Sequence, residues 1–216
     1  MSEFDFFDLP DEVFAFSDLK EDPAYRRIPR QKRRYYLQEP IRLGGQTAIQ
    51  YRGRDLERIL CDSGVSVQTL HDEPPGYLHA QILYDRDRKE IQLFTAVAQR
   101  LSEVMAETPF SFTPEQLQKL FLAHEFYHWL EYSSQTSTDS RCEPVEVKLL
   151  GLFRSRVRIR RTSEIAAFQF AKEFCQLSIH PKIMDYVLLY REKGAAFTEI
   201  DRALSALRSK YEEECL

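Results

Sequence analysis

Three stretches of this 216-residue chain predict an α+β fold, in which a small mixed sheet packs on one long helix and the C-terminal part is helical. First, HAQILY (79–84) and EIQLF (90–94) alternate on either side of the charged turn DRDRK, the pattern of a β-hairpin with one buried face. Second, Thr113-Pro114-Glu115-Gln116 is a strong helix start. Thr113 can cap, Pro114 suits the first helical position, and Gln116 completes a capping box. That helix should run through His128 to about Tyr132. Third, from Ser163 onward the pattern is helical. It predicts one helix over Ser163–Cys175 and two more over 182–193 and 198–213, the last opened by Thr198 with Asp201 in capping-box spacing.

The remaining elements follow in chain order. Residues 1–24 hold eight acids and one base, Lys20, interleaved with phenylalanines. Residues 25–36, YRRIPRQKRRYY, hold six bases and no acid. Such a reversal suggests self-pairing or a docking segment. A basic-aromatic nucleic-acid contact, with Tyr35 or Tyr36 stacking on a base, is the alternative. The expectation is a charged, partly ordered arm over 1–52, whose first 36 residues dock on the body and cover its cleft. The compact part should then span 53–216. Arg54–Ser63 places Leu56, Ile59 and Leu60 at helical spacing, with Gly64 as its stop. VSVQTL (65–70) reads as a strand. Ala96–Glu107 is an amphipathic helix through Val97, Leu101, Val104 and Met105. SSQTSTDSR (133–141) is a polar loop. RSRVRIR (154–160) alternates, so Arg154, Arg156, Arg158 and Arg160 mark the solvated face of a strand in preference to a phosphate-binding stripe.

Composition narrows the class of protein. Apolar residues make up 43%, enough for a core, and a net charge of −4 gives no general attraction to nucleic acid or anionic membrane. No apolar run approaches the roughly 20 residues that span a bilayer. The acidic N-terminus lacks the basic-then-apolar pattern of a signal peptide. A soluble cytoplasmic protein is expected, without membrane contact and with nucleic acid an unlikely partner. Cys61, Cys142, Cys175 and Cys215 are far apart and form no CxxC pair, so they read as reduced thiols.

Chemistry concentrates in His124-Glu125-Phe126-Tyr127-His128. The two histidines are four residues apart on a predicted helix, so both imidazoles can reach one ion. Zinc takes neutral imidazole nitrogen at about 2.0–2.1 Å and prefers four ligands. Glu125 falls beside the open coordination position. There it can take a proton from a water that zinc acidifies to a pKa of about 7. Chance alone would give such an HExxH run about once in a hundred chains of this composition, so its place inside a well-capped, apolar-flanked helix matters. A third protein ligand is needed. The metzincin pattern wants glycine and histidine where this chain has Glu131 and Ser134, which excludes that class. Glu164, opening SEIAAFQFA, is favoured, because Ala166 and Ala167 would let its helix approach the HExxH helix closely. Glu131 is the rival, but it lies roughly 10 Å of helix rise beyond His124. Glu143 and Glu146 are weaker candidates.

Three segments together resemble the ImmA/IrrE family of zinc peptidases, a compact gluzincin-type group. AQILYDRDRKEIQLF resembles its strand pair, LFLAHEFYHWLEY its AHELGH helix, and SEIAAFQFA its E-x-x-A-x-x-F-A segment, with Glu164, Ala167, Phe170 and Ala171 at matching offsets. The resemblance covers 54–180. It implies one zinc per chain, held by His124, His128 and Glu164, with Glu125 as general base. Tyr127 departs from the family's glycine, and Phe174–Pro181 does not reproduce its Leu-Leu-Met-Pro ending. Members often cut or antagonise helix-turn-helix repressors, so a protein or peptide substrate is implied, a transcriptional repressor among the possibilities. In this layout the outer hairpin strand faces the cleft, where an extended peptide can add to its edge. The oxyanion needs a second electrophile. Tyr77, His79, Tyr132 and His180 are candidates, with His79 slightly favoured. The activity expected is that of a zinc endopeptidase of narrow specificity. The alternative is a zinc-containing binding or anti-repressor module that docks a partner without cutting it.

Overall fold

The computed structural model describes residues 5–72, 74, 78–85, 88–149 and 153–216. Tyr77 and residues 86 and 87 of the hairpin turn lie outside this set. The chain forms nine helices and five strands among the described residues, in a mixed α+β arrangement.

The N-terminal segment does not stand apart as an arm. After a 3-10 turn at Asp5–Asp8 come helix α1 (Asp11–Lys20), a second 3-10 turn at Tyr25–Arg27, and the long helix α2 (Arg30–Tyr51). In α1, Val13, Phe14, Ala15, Phe16 and Leu19 are all buried. A helix enclosed on several sides carries no polar stripe, so it lacks the amphipathic signature of a surface helix. In α2 the buried residues Tyr36, Leu37, Pro40, Leu43, Gly44 and Ala48 do recur at helical spacing. Proline and glycine at three of the positions Pro40, Gly44 and Gly45 obscure this in the sequence, because both residues ordinarily break helices. Phe6, Phe7 and Phe14 join the main apolar core. Val13, Phe16, Leu19, Tyr36 and Leu37 build a second cluster with Ile159, Ile165 and Tyr211. The compact part therefore includes residues from the N-terminal segment and does not begin near residue 53.

Of the two expectations for the charges of this segment, self-pairing or docking, the ion pairs follow docking. Its acids reach distant bases: Asp11 binds Lys172 at 2.7 Å, Asp18 binds Lys182, and Glu21 binds Arg161 at 2.9 Å. Its bases reach distant acids: Arg33 binds Glu214 at 2.8 Å and Lys32 binds Glu143 at 2.9 Å. The two runs dock on the body and do not neutralise each other.

Helix α3 (Leu56–Asp62) is capped by Asp55, which accepts from the Arg58 amide at 2.9 Å, and ends at Gly64 with φ +68°. Strands β1 (Ser66–Leu70), β2 (Ala80–Tyr84) and β3 (Lys89–Phe94) form a mixed sheet in the order β1-β3-β2. β1 is parallel to β3, and β2 pairs antiparallel with β3, Ile82 opposite Ile91. β2 is thus an edge strand. Helix α4 (Thr95–Met105) leads to α5 (Pro114–Ser133), which carries the HExxH run. The predicted capping box is present: the Gln116 amide donates to Thr113 Oγ1 at 3.3 Å and the Thr113 amide to Gln116 Oε1 at 2.9 Å.

The polar loop after α5 includes a short helix, α6 (Thr138–Arg141). Strands β4 (Val145–Leu149) and β5 (Phe153–Val157) form a separate antiparallel pair. β5 is shorter than the predicted 154–160. It stops at Val157, and Ile159 beyond it is buried while Arg158 and Arg160 are exposed. Helices α7 (Arg161–Phe174), α8 (Lys182–Glu192) and α9 (Phe197–Cys215) complete the chain. α9 starts one residue earlier than predicted. Its opening amide, on Ala196, donates to Glu199 at 2.9 Å, so Thr198 and Asp201 do not form the expected box. No helix among the described residues is long and apolar enough to cross a membrane.

Candidate metal centre

Helix α5 buries Leu117, Leu120, Phe121, Ala123, Phe126, Tyr127 and Trp129. That burial fixes its rotation and aims His124 and His128 out of the core on one side. Glu164 comes from the first turn of α7. The three side chains converge. His124 Nε2 lies 3.3 Å from His128 Nε2, and the Glu164 carboxylate lies 3.4 Å from His124 Nε2 and 3.7 Å from His128 Nε2. Zinc with ligands at about 2.0–2.1 Å in a tetrahedron separates its donors by about 3.3–3.4 Å; the two histidine nitrogens stand at that separation, and the two Glu164 oxygens, one toward each ring, lie at or somewhat beyond it. Among the described residues this is the group of metal-ligating side chains whose donor atoms all lie within 4.8 Å of one another. Two imidazoles and one carboxylate, part-buried and converging on one point, fit a zinc ion.

The rival acids have other work. Glu131 faces the far side of His128, with Oε2 3.3 Å from Nδ1. Ser163 Oγ donates to that same Oε2, and the other oxygen accepts from the Thr138 amide at 2.5 Å. Glu131 therefore holds the ring of His128 from behind, the arrangement that fixes a ligand imidazole's tautomer and raises its basicity. Its position three residues after His128 placed it on the right face of the helix, but the sequence did not separate ligand from support. Glu143 and Glu146 pair with Lys32 at 2.9 Å and Arg156 at 3.9 Å, away from the site. Tyr127, at the family's glycine position, packs in the core, and its hydroxyl meets Thr138 Oγ1 at 2.7 Å. It thereby steadies the same residue whose amide holds Glu131.

The position of α7 is set by the N-terminal segment, which the sequence reading left out of the site. Asp22 Oδ2 accepts from the Arg161 amide at 3.0 Å and Oδ1 from the Ala24 amide at 2.8 Å, so Asp22 caps α7 from another part of the chain. Gly44 of α2 lies against the same helix. A Cβ added there would stand 2.2 Å from the Ala166 carbonyl oxygen. The missing side chain of Gly44 thus admits the Ala166 backbone to α2, an approach of α7 that the sequence did not indicate. A residue such as Gly44 leaves one signal in a sequence, a helix-breaking residue in an otherwise helical apolar stripe.

Glu125 is outside the donor group. Its Oε2 accepts from the Ile82 amide of edge strand β2 at 2.9 Å. Burial pushes its pKa up, against the lowering effect of the His124 and His128 rings. Glu164 is held well below the usual carboxylate range: burial opposes this, but the hydrogen bonds and charges of the two histidines outweigh it. Burial would lower the pKa of His128, yet bonds to Glu131 and Glu164 win and push it up to about 10.

These groups open into a cleft of about 480 Å³, walled by β2 and by apolar side chains that include Leu120, Phe121, Phe168 and Met184. His79 lines it, stacked on Phe121 at 4.5 Å. Its Nε2 is buried and 3.5 Å from Asp185 Oδ1, so that nitrogen faces Asp185. Burial lowers the His79 pKa. Tyr132 stacks on Tyr84 beyond His128 and does not line this cleft. His180 is a core residue, 4% exposed and stacked on Phe14 at 4.9 Å, which removes it as an oxyanion candidate. No described residue of the N-terminal segment is among those lining the cleft, so the described part of that segment does not cover it. Comparison of the chain with protein-family models, with curated proteins and with solved structures gave no match.

Proposed function

We propose that this chain is a zinc-dependent endopeptidase of narrow specificity, with gluzincin-like packing of the kind its resemblance to the ImmA/IrrE group implies. The observation that carries the reading is the convergence of His124, His128 and Glu164 donors within 4.8 Å of one another, with a carboxylate outside that group, Glu125, held beside it by the Ile82 amide. A zinc held there supplies Lewis-acid polarisation of a carbonyl and acidification of a water. The chain's own residues do the rest. Glu125 takes the proton of the attacking water at its carboxylate and delivers it to the departing amine. Its raised pKa suits a group that must both accept and release a proton. Glu131 fixes the ring of His128. The edge of β2 orients the peptide: Ile82 N–H points away from β3 to Glu125, so the main-chain groups of Ala80 and Tyr84 face that same side, and an extended chain can pair with them there. The apolar wall of Leu120, Phe121 and Phe168 keeps bulk water from the site. A transcriptional repressor is the first substrate to try, on the strength of the resemblance.

Two variants test this reading. Protein purified without added metal should carry one zinc, lost in His124→Ala; equal zinc in both would remove the assignment. Glu125→Gln should keep zinc and melting temperature, since glutamine is nearly isosteric and no ligand is lost, but slow cleavage by about 10²–10⁴. Unchanged cleavage would strip Glu125 of its role. A wild type that binds a partner and cuts nothing would turn the reading to docking.

A further inference from the structure

The cleft continues past His128. Tyr84, the last residue of β2, and Tyr132, in the last turn of α5, stack with ring centroids 4.0 Å apart, yet stay 42% and 40% exposed. Trp129 lies 5.5 Å from Tyr132 and carries Lys89 Nζ 5.4 Å from its ring centre. These residues line a second hollow that shares Tyr84 and His128 with the metal cleft and is bounded by Arg160 and Ser163. It therefore extends the cleft along the open edge of β2.

Two cations, Lys89 and Arg160, and two acids, Glu131 and Asp139, line it, and the cations are not paired with the acids. Lys89 and Arg160 make no ion pair with a described residue. Of the acids beside them, Glu131 is turned to His128, Ser163 and the Thr138 amide, while Asp139, bonded to the Ser137 hydroxyl, keeps its charge at the rim. The opposite end of the cleft is apolar and its charged residue is Asp185. A chain lying along β2 thus meets two free cations and an aromatic platform at one end, and a carboxylate among apolar walls at the other.

We infer that the hollow is a substrate subsite for a peptide carrying an acidic side chain a few residues to one side of the cleaved bond. The acidic group lies between Lys89 and Arg160, and the neighbouring side chain lies flat on Tyr84 and Tyr132. This rests on the peptidase reading and names the class of peptide it takes. Exposed tyrosines suit the contact because they offer a large apolar face at low cost in side-chain entropy. The cations suit it because partly exposed charges choose between partners more than they add affinity.

The test is a mixed-sequence peptide library cut by the zinc-loaded protein, with the residues around each cut read by mass spectrometry. Wild type should enrich Asp and Glu on one side of the cut. Lys89→Glu, alone and with Arg160→Glu, should erase that enrichment or replace it with Lys and Arg, at unchanged zinc content. No acidic enrichment in wild type, or the same enrichment in the reversed variants, overturns the subsite. A peptide array probed with zinc-loaded Glu125→Gln reads binding without cleavage. There, peptides with Glu should be held about tenfold better than their Lys counterparts, and the preference should vanish with Lys89→Glu. If that holds while wild type cuts nothing, the peptidase reading fails and the subsite stands. If binding ignores the charge, the subsite fails whatever the chain cuts.

Discussion

Helices α5 and α7 meet at one metal centre but are built in different ways. α5 carries its own instructions: a capping box at Thr113 and Gln116, proline at its first position, and twenty residues of continuous helix. α7 has no side-chain cap of its own. Its first amide is held by Asp22, its flank by Gly44, its later turns by Lys172 bound to Asp11. On the proposed reading, two ligands thus depend on local sequence and the third on contacts made across more than a hundred residues of chain. Metal affinity should then depend on docking of the N-terminal segment.

The sharpest way to break that comparison is Gly44→Ala. Its Cβ meets a backbone carbonyl, which cannot rotate away, so α2 and α7 must part. A cost of about 3 kcal/mol and a loss of zinc affinity of tenfold or more are expected. Gly45→Ala, one residue on and with nothing within 4 Å, should instead stabilise by about 0.5–1 kcal/mol and leave zinc alone. Thermal unfolding and chelator competition measure both. Equal behaviour of the two variants would mean that α2 does not set the third ligand.

A smaller effect concerns pH. Asp18 of α1 is buried, and burial raises its pKa to about 6 even though the ammonium of Lys182 lowers it; Glu21 and Glu164 add to the rise. Unfolded, the group titrates near its ordinary value of 3.8, so the folded chain holds a proton between the two values. Stability from this group is therefore highest below about 3.8 and falls as pH rises to about 6, by about 3 kcal/mol in all. Asp18→Asn lacks that slope. Its stability relative to wild type should improve from pH 4 to pH 7 in denaturant titrations, and a constant difference would contradict the account.

The smallest effects compare the two caps. Asp22→Ala and Thr113→Ala should each cost about 1–2 kcal/mol. Only the former should weaken zinc binding, because Glu164 sits in the first turn of α7 while His124 lies eleven residues after Thr113. Matched zinc affinities would erase the distinction between local and remote support.

The same contrast explains what could be read in advance. β2, β3, α4 and α5 were legible because their patterns are short-range: alternation, amphipathic period and a cap. His124, Glu125, His128 and Glu164 could be named as candidates from spacing and resemblance. α1 hid because it is buried on several sides, and α2 because Pro40, Gly44 and Gly45 interrupt its stripe. Asp22 read as an ordinary surface acid and Glu131 only as a rival ligand, since their value lies in the amides and the imidazole that folding brings to them. His180 misled for the converse reason: a histidine can be a stacked core residue.

Anomalous diffraction at the zinc absorption edge, from crystals of protein purified without added metal, tests the central claim most directly. One peak is predicted within bonding distance of His124 Nε2, His128 Nε2 and the Glu164 carboxylate, with Glu131 behind His128 and Glu125 unligated. A peak ligated by Glu131 with Glu164 remote, or no peak at these residues, would contradict it.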